Sequence, residues 1–144
     1  MTLAAILKYK GRSVISVLPD TEISDVVTVL SEKRIGAVVV IDAFDRLIGI
    51  LSERDIVRSL ASNGSRIFEM TAAQLMTRSP TVTSSDITVV DAMEIMTNGR
   101  FRHLPVVDGG KLAGMISIGD VVKARIAQQG HEVDSLRAYV VGMV

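Results

Sequence analysis

Two stretches of the chain carry one pattern: GILSERD at Gly49–Asp55 and GMISIGD at Gly114–Asp120. A serine hydroxyl three residues ahead of a carboxylate, where an apolar strand gives way to a helix, has two uses. In a capping box, Ser at the N-cap and an acid at N3 satisfy N–H groups of the first helical turn. In a ligand site, the helix N-terminus attracts an anion through free N–H groups and its dipole. A carboxylate one turn in accepts hydrogen bonds from two neighbouring hydroxyls, as a ribose presents. The uses are compatible, because a carboxylate has two oxygens. On this basis Ser52 and Ser117 are candidate phosphate donors, and Asp55 and Asp120 are candidate ribose anchors. The glycine opens room beside each strand. Ile50 and Met115, which follow it, are placed either to flank an adenine or to pack in the core.

A second constellation is RFRHLPVVD at Arg100–Asp108. Arg102 and His103 open the strand expected to pair with the second GhhSxxD strand, where they are candidates to neutralise phosphate. The matching segment of the first stretch is RIGAVVV, with Gly36 and Ala37 in their place. Arg54 offsets this difference, since the second copy has Gly119 there. The two candidate sites are therefore unequal in charge. His103 and His131 are the only histidines, and no second ligand stands at a metal-like spacing from either. There is no nucleophile elbow and no acid–base pair, so catalysis is not expected.

The elements that position these residues recur as well. A short β-like stretch (Ser13–Val17; Pro80–Thr83) leads through polar turns into a helical pattern. Ile23, Val26, Val27 and Leu30 form one apolar face, and Val89, Ala92, Met93 and Met96 repeat it. Val27 and Met93 are predicted to be equivalent and buried. Two strand candidates follow in each copy, Ala37–Ile41 with Leu47–Leu51 and Leu104–Val107 with Lys111–Ile116, and each copy closes with a helix from Ser52 or Ser117. The expected organisation is an N-terminal helical segment over 1–12, repeat 1 over 13–62, a linker over 63–78, repeat 2 over 79–129 and a separate C-terminal helix over 130–144. In that last helix Val133, Leu136 and Val140 share one side. The fold class is α/β (α+β), with order β-α-β-β-α written twice.

Composition sets the outer limits. The chain has 144 residues, 48% hydrophobic and 22% charged, which suits a globular chain of one small domain or two very small halves. Sixteen basic residues balance sixteen acidic ones at a pI near 6.7, and aromatics are three Phe and two Tyr. There is no global positive field to attract nucleic acid, and stacking platforms for single strands are scarce. Apolar runs are too short for a bilayer span. The absence of cysteine fits a reducing cytosol, and a cytoplasmic location is expected.

The paired GhhSxxD motifs, HLPVVD, the LMTRSPTVT linker and the tandem β-α-β-β-α order together resemble a cystathionine-β-synthase (CBS) domain pair, from about Ser13 to Gln128. GILSERDIVRSLA and RIGAVVV are especially similar to stand-alone bacterial CBS-pair proteins. The resemblance implies two repeats packed about a pseudo-twofold axis and a non-catalytic sensor. It implies an adenosine-containing ligand bound between the repeats: AMP, ADP, ATP or NAD, with S-adenosylmethionine behind them. By the same resemblance Asp55 and Asp120 hold ribose, Ser52 and Ser117 lie near phosphate, and Arg102 and His103 match the phosphate-facing position. Pro105 and the strand openings at Val17 and Thr83 line the base. The departure at Gly36-Ala37 argues against strong triphosphate binding at one site. The family also implies a disc-like homodimer, no required cofactor and an unidentified protein that receives the signal. The rival readings are a structural dimerisation module with vestigial sites and an enzyme acting on a nucleotide.

Overall fold

The structure, a computed structural model, describes residues 1–142. It is a mixed α+β fold in which a set of strands and helices occurs twice. The chain divides into two compact units, one of residues 13–82 with 109–112, the other of residues 1–12, 83–108 and 113–142.

In the unit built on the first repeat, β1 (Ser16–Val17) runs parallel to β2 (Ala37–Ile41), with Val17 opposite Val40. The link between them is α2 (Ile23–Lys33), which buries Ile23, Val26 and Leu30 at helical spacing. Strand β2 is continuously apolar, and its first four residues are all buried. β3 (Leu47–Ser52) pairs antiparallel with β2, placing Ala37 opposite Ser52, and β4 (Thr77–Arg78) completes the sheet in the order β1-β2-β3-β4. α3 (Glu53–Asn63) follows β3, then a 3-10 turn (Gly64–Glu69) whose Ile67 is fully buried, then α4 (Ala72–Leu75). Val17, Ile23, Val26, Val38, Leu51, Ile67 and Leu75 are among the residues of one core cluster.

The other unit repeats this plan with α5 (Val89–Gly99), β5 (His103–Asp108), β6 (Lys111–Ser117) and α6 (Ile118–Gly142). Strands β5 and β6 form a two-stranded sheet. Both α2 and α5 end on an arginine in the left-handed region, Arg34 (φ 52°) and Arg100 (φ 58°). Leu3, Leu7, Val89, Met96, Leu104, Ile116 and Val121 belong to its core.

The helix α1 (Leu3–Lys10) packs in this second unit. Its first turn is fixed by Leu3 N–H to the Ile87 carbonyl and Ala4 N–H to the Ser85 carbonyl. The short helix α4 is held on the first repeat in the same way, by Ala72 N–H to the Thr21 carbonyl and Ala73 N–H to the Pro19 carbonyl. Each repeat thus carries a helical segment of its own, α4 on the first and α1 on the second.

Several sequence expectations are corrected. Pro80–Thr83 forms no strand; a single parallel bridge from Thr83 to Val106 remains, because Thr83 alone exchanges hydrogen bonds with Pro105 and Val107. Val27 and Met93 do occupy matching places but are half-buried; Val26, Leu30, Ala92 and Met96 point more directly inward. α6 runs through Gly130 without a break, where two helices were expected. One glycine in a helix interior costs only about 1 kcal/mol. No helix among the described residues is long and apolar enough to cross a membrane.

Candidate functional site

Each GhhSxxD stretch folds as a strand running into a helix, and the first-turn N–H groups can be followed one by one. At the first junction, Ser52 N–H donates to Asp55 Oδ2 (2.9 Å). Glu53 N–H donates to the Gly36 carbonyl (2.9 Å), and Asp55 N–H donates to Ser52 Oγ (3.3 Å). At the second, Ser117 N–H donates to Asp120 Oδ2 (2.8 Å), Ile118 N–H to the Arg102 carbonyl (2.8 Å) and Asp120 N–H to Ser117 Oγ (3.1 Å). Both motifs are therefore complete capping boxes. Among the described residues, only the second-position amides, Arg54 N–H and Gly119 N–H, keep no protein acceptor. The helix ends thus offer an anion one N–H each, fewer than an uncapped terminus.

The carboxylates remain partly open. At both junctions the internal hydrogen bonds converge on Oδ2, leaving Oδ1 of Asp55 and of Asp120 without a partner among the described residues. Asp55 and Asp120 are both half-buried. A half-buried carboxylate oxygen with unused lone pairs, beside a single unpaired N–H, can accept from a hydroxyl pair. The Ser52 hydroxyl donates to Asp55 Oδ2 (3.0 Å), so as positioned its proton is not directed at a phosphate.

The glycines have a different role from the one their position suggests. A Cβ on Gly49 would run into Met76 Sδ and stand 3.0 Å from the Thr77 carbonyl oxygen. A Cβ on Gly114 would lie 2.5 Å from Leu7 Cδ2. The space beside each strand is already filled by an apolar side chain from a helical segment: Met76 after α4, Leu7 on α1.

The two junctions differ electrically through a residue the sequence reading did not single out. Lys10, the last residue of α1, donates from Nζ to Asp120 Oδ2 at 2.6 Å and to the Met115 carbonyl at 2.8 Å. Burial pushes the Asp120 carboxyl up, but hydrogen bonding to Lys10 and to Ser117 N–H outweighs it and holds the group below its ordinary value of 3.8. Asp55 makes no ion pair among the described residues. No local signal marks Lys10, because its partner lies 110 positions away.

The other candidates fall as follows. Gly36 and Arg102 stand at equivalent places, each supplying the carbonyl that caps the next helix, while the Arg102 side chain is exposed. Ala37 is buried at the start of β2, and His103 is half-buried at the start of β5. Ile50 on β3 is half-buried, whereas Met115 on β6 and Pro105 on β5 are buried. Val17 is buried on β1, Thr83 is half-buried at its bridge, and Arg54 is exposed. Ser52, Asp55, Gly36 and Ala37 are brought together at one junction, and Ser117, Asp120 and Arg102 at the other.

Comparison with known proteins settles the family. The CBS domain family profile matches residues 9–62 and again 72–127. The chain belongs to the CBS-domain family. A CBS-domain protein from Agrobacterium tumefaciens, ATU1752, superimposes with a TM-score of 0.84 at 44% identity, over 86% of this chain and 92% of that one. The CBS domain protein PAE2072 from Pyrobaculum aerophilum, solved as a complex with AMP, gives a TM-score of 0.73 at 28% identity, over 83% and 89%. A mitochondrial CBS domain-containing protein of Arabidopsis thaliana, CBSX3, is 33% identical over 98% of this chain and 72% of its own length. Other curated relatives are longer, the chain spanning 65% of one and 20% of another.

Proposed function

We propose that this CBS pair is a non-catalytic regulatory module that binds adenosine nucleotides, AMP foremost, with ADP, ATP and NAD as alternatives and S-adenosylmethionine behind them. The observation that carries the reading is the repeated junction at which the capping box uses one carboxylate oxygen and leaves the other unpaired. Asp55 and Asp120 each present Oδ1 to a ribose diol. Arg102, and the half-buried His103 beside it, supply charge for phosphate on the second repeat, and Arg54 does so on the first. Pro105 and Thr83 flank the base on the second repeat, and Val17 does so on the first. The AMP complex of the Pyrobaculum relative supports the ligand class. Family resemblance supports a homodimer that passes its ligand state to another protein, and a cysteine-free chain suits the cytosol.

One observation favours a purely structural rival: the motif is satisfied as a cap without any ligand. The two readings separate on Asp55→Asn, which keeps an acceptor for Ser52 N–H and removes the charge. Losing a charge-assisted hydrogen bond costs roughly 1.5–3 kcal/mol, so AMP affinity measured by calorimetry is expected to fall about tenfold or more. Stability is expected to fall by no more than about 1 kcal/mol. A variant that loses stability and binds AMP as the parent does leaves the motif as a cap only.

A further inference from the structure

The C-terminal part of α6 is anchored at one end and bare along the rest. Val121 is fully buried, and Ile118 and Ala124 pack on the second unit's core. From Gln129 to Val141 every residue is exposed, a projecting helix of about 20 Å at 1.5 Å per residue. A helix of this length is marginal in water unless an apolar face is covered. Val122 (43% exposed), Ile126 (64%), Val133 (47%), Leu136 (62%) and Val140 (54%) leave such a face in solvent. With Gln129 they advance by alternating steps of four and three residues, the 3.5-residue period of a left-handed coiled-coil seam. At about 100° per residue the row lies roughly 60–140° around the helix from Val121, and each of its residues is exposed while Val121 is buried, so core packing leaves the seam free.

We propose that this seam binds the same seam of a second copy of the chain, in parallel and in register. The flanking charges choose the occupant and its direction. In a parallel pair, Glu132 faces the partner's Arg137, and symmetry makes the contact twice. In an antiparallel pair that places Val122 against the partner's Val140, Glu132 would meet the partner's Glu132 and Lys123 would meet the partner's Arg137. Both are like-charge contacts. Sliding that arrangement by one heptad makes Arg125 face the partner's Glu132, but keeps only the layers from Val122 to Val133. The parallel register retains the full row. Gln129, the one polar residue in it, pairs with its own counterpart only in that register, the role a buried amide plays in fixing alignment. The proposal is independent of nucleotide binding.

The test uses the absence of native cysteine. In the parallel register, Gln129→Cys brings two thiols within the Cα separation a disulfide accepts, about 5.5–6 Å. The control position is Ala127, which is exposed and lies about 160° around the helix from Gln129. Under mild oxidation of the full-length chain, Gln129→Cys is expected to crosslink on the order of tenfold faster than the outward-facing Ala127→Cys, whose thiols cannot meet. Adding Leu136→Glu to Gln129→Cys is expected to abolish the difference while the circular dichroism of the folded units is retained, because Leu136 lies outside both cores. Equal rates for Gln129→Cys and Ala127→Cys, or crosslinking that survives Leu136→Glu, overturn the proposal, whatever mass the protein shows in sedimentation.

Discussion

Replacing Lys10 by Met keeps the aliphatic stem of the side chain and removes its ammonium. The ion pair to Asp120 at 2.6 Å and the hydrogen bond to the Met115 carbonyl at 2.8 Å are lost together. Side-chain exposures of 38% for Lys10 and 23% for Asp120 place the pair at the upper end of surface ion pairs, about 1 kcal/mol. The orphaned Met115 carbonyl adds up to about 1 kcal/mol more. The expected loss is about 1–2 kcal/mol at neutral pH, a drop in Tm of roughly 3–6 °C for a chain of this size. The pH dependence identifies its electrostatic part. The folded-state pKa of Asp120 lies below its unfolded value of 3.8, so its contribution is fully present above that value and is lost as pH falls through the folded pKa. Denaturant unfolding of parent and Lys10→Met is therefore expected to show the full gap at pH 7 and a narrowing gap as pH falls below 3.8. A gap of the same size at about pH 3 would refute the argument, and Lys10 would then act only through packing of its stem.

Gly49→Ala is expected to cost about 1–3 kcal/mol, because Met76 and the Thr77 carbonyl leave no room for a methyl group; truncating Met76 in the same chain is expected to recover part of the loss, a coupling read from a double-mutant cycle in urea. Arg102→Ala is expected to weaken AMP more than adenosine in calorimetry and to flatten the salt dependence of AMP binding, since Arg102 is exposed and its charge is screened. Equal losses for the two ligands would show that Arg102 does not touch phosphate.

What the sequence made legible, and what it hid, follows the range of each interaction. β2 begins and ends at Ala37 and Ile41 as the apolar run predicts, because a strand buried along its length leaves an unbroken signal. The capping boxes are equally readable, since Ser and Asp meet across a single turn. The 3-10 turn at Gly64–Glu69 escaped notice because only Ile67 anchors it, and one apolar residue makes no period. Gly130 misled in the opposite direction, as a break signal inside a helix that tolerates it. Long-range partners were invisible. Nothing near Gly114 announces that Leu7 fills its place, and nothing near Asp120 announces Lys10.

Those hidden partners bear on what the repeat is for. Met76 beside Gly49 and Leu7 beside Gly114 are structural equivalents, so the two junctions are built alike down to the side chain that backs each strand. The likeness stops at the next step along the chain. α1 ends on Lys10 beside the second aspartate, whereas the segment after α4 offers Ser79, whose N–H donates to the Ile48 carbonyl. Among the described residues, one anchor therefore carries a compensating cation and the other does not. Exposed Arg102 on the second repeat and exposed Arg54 on the first place one cation near each junction, so the ion pair of Lys10 with Asp120 is what leaves the second junction the less negative of the two. Identical ligands at two such places would bind with different salt dependence, the more strongly charged phosphate preferring the Lys10–Arg102 side. On the proposed function, a duplicated frame whose two anchors differ in charge would separate nucleotides that differ only in phosphate charge.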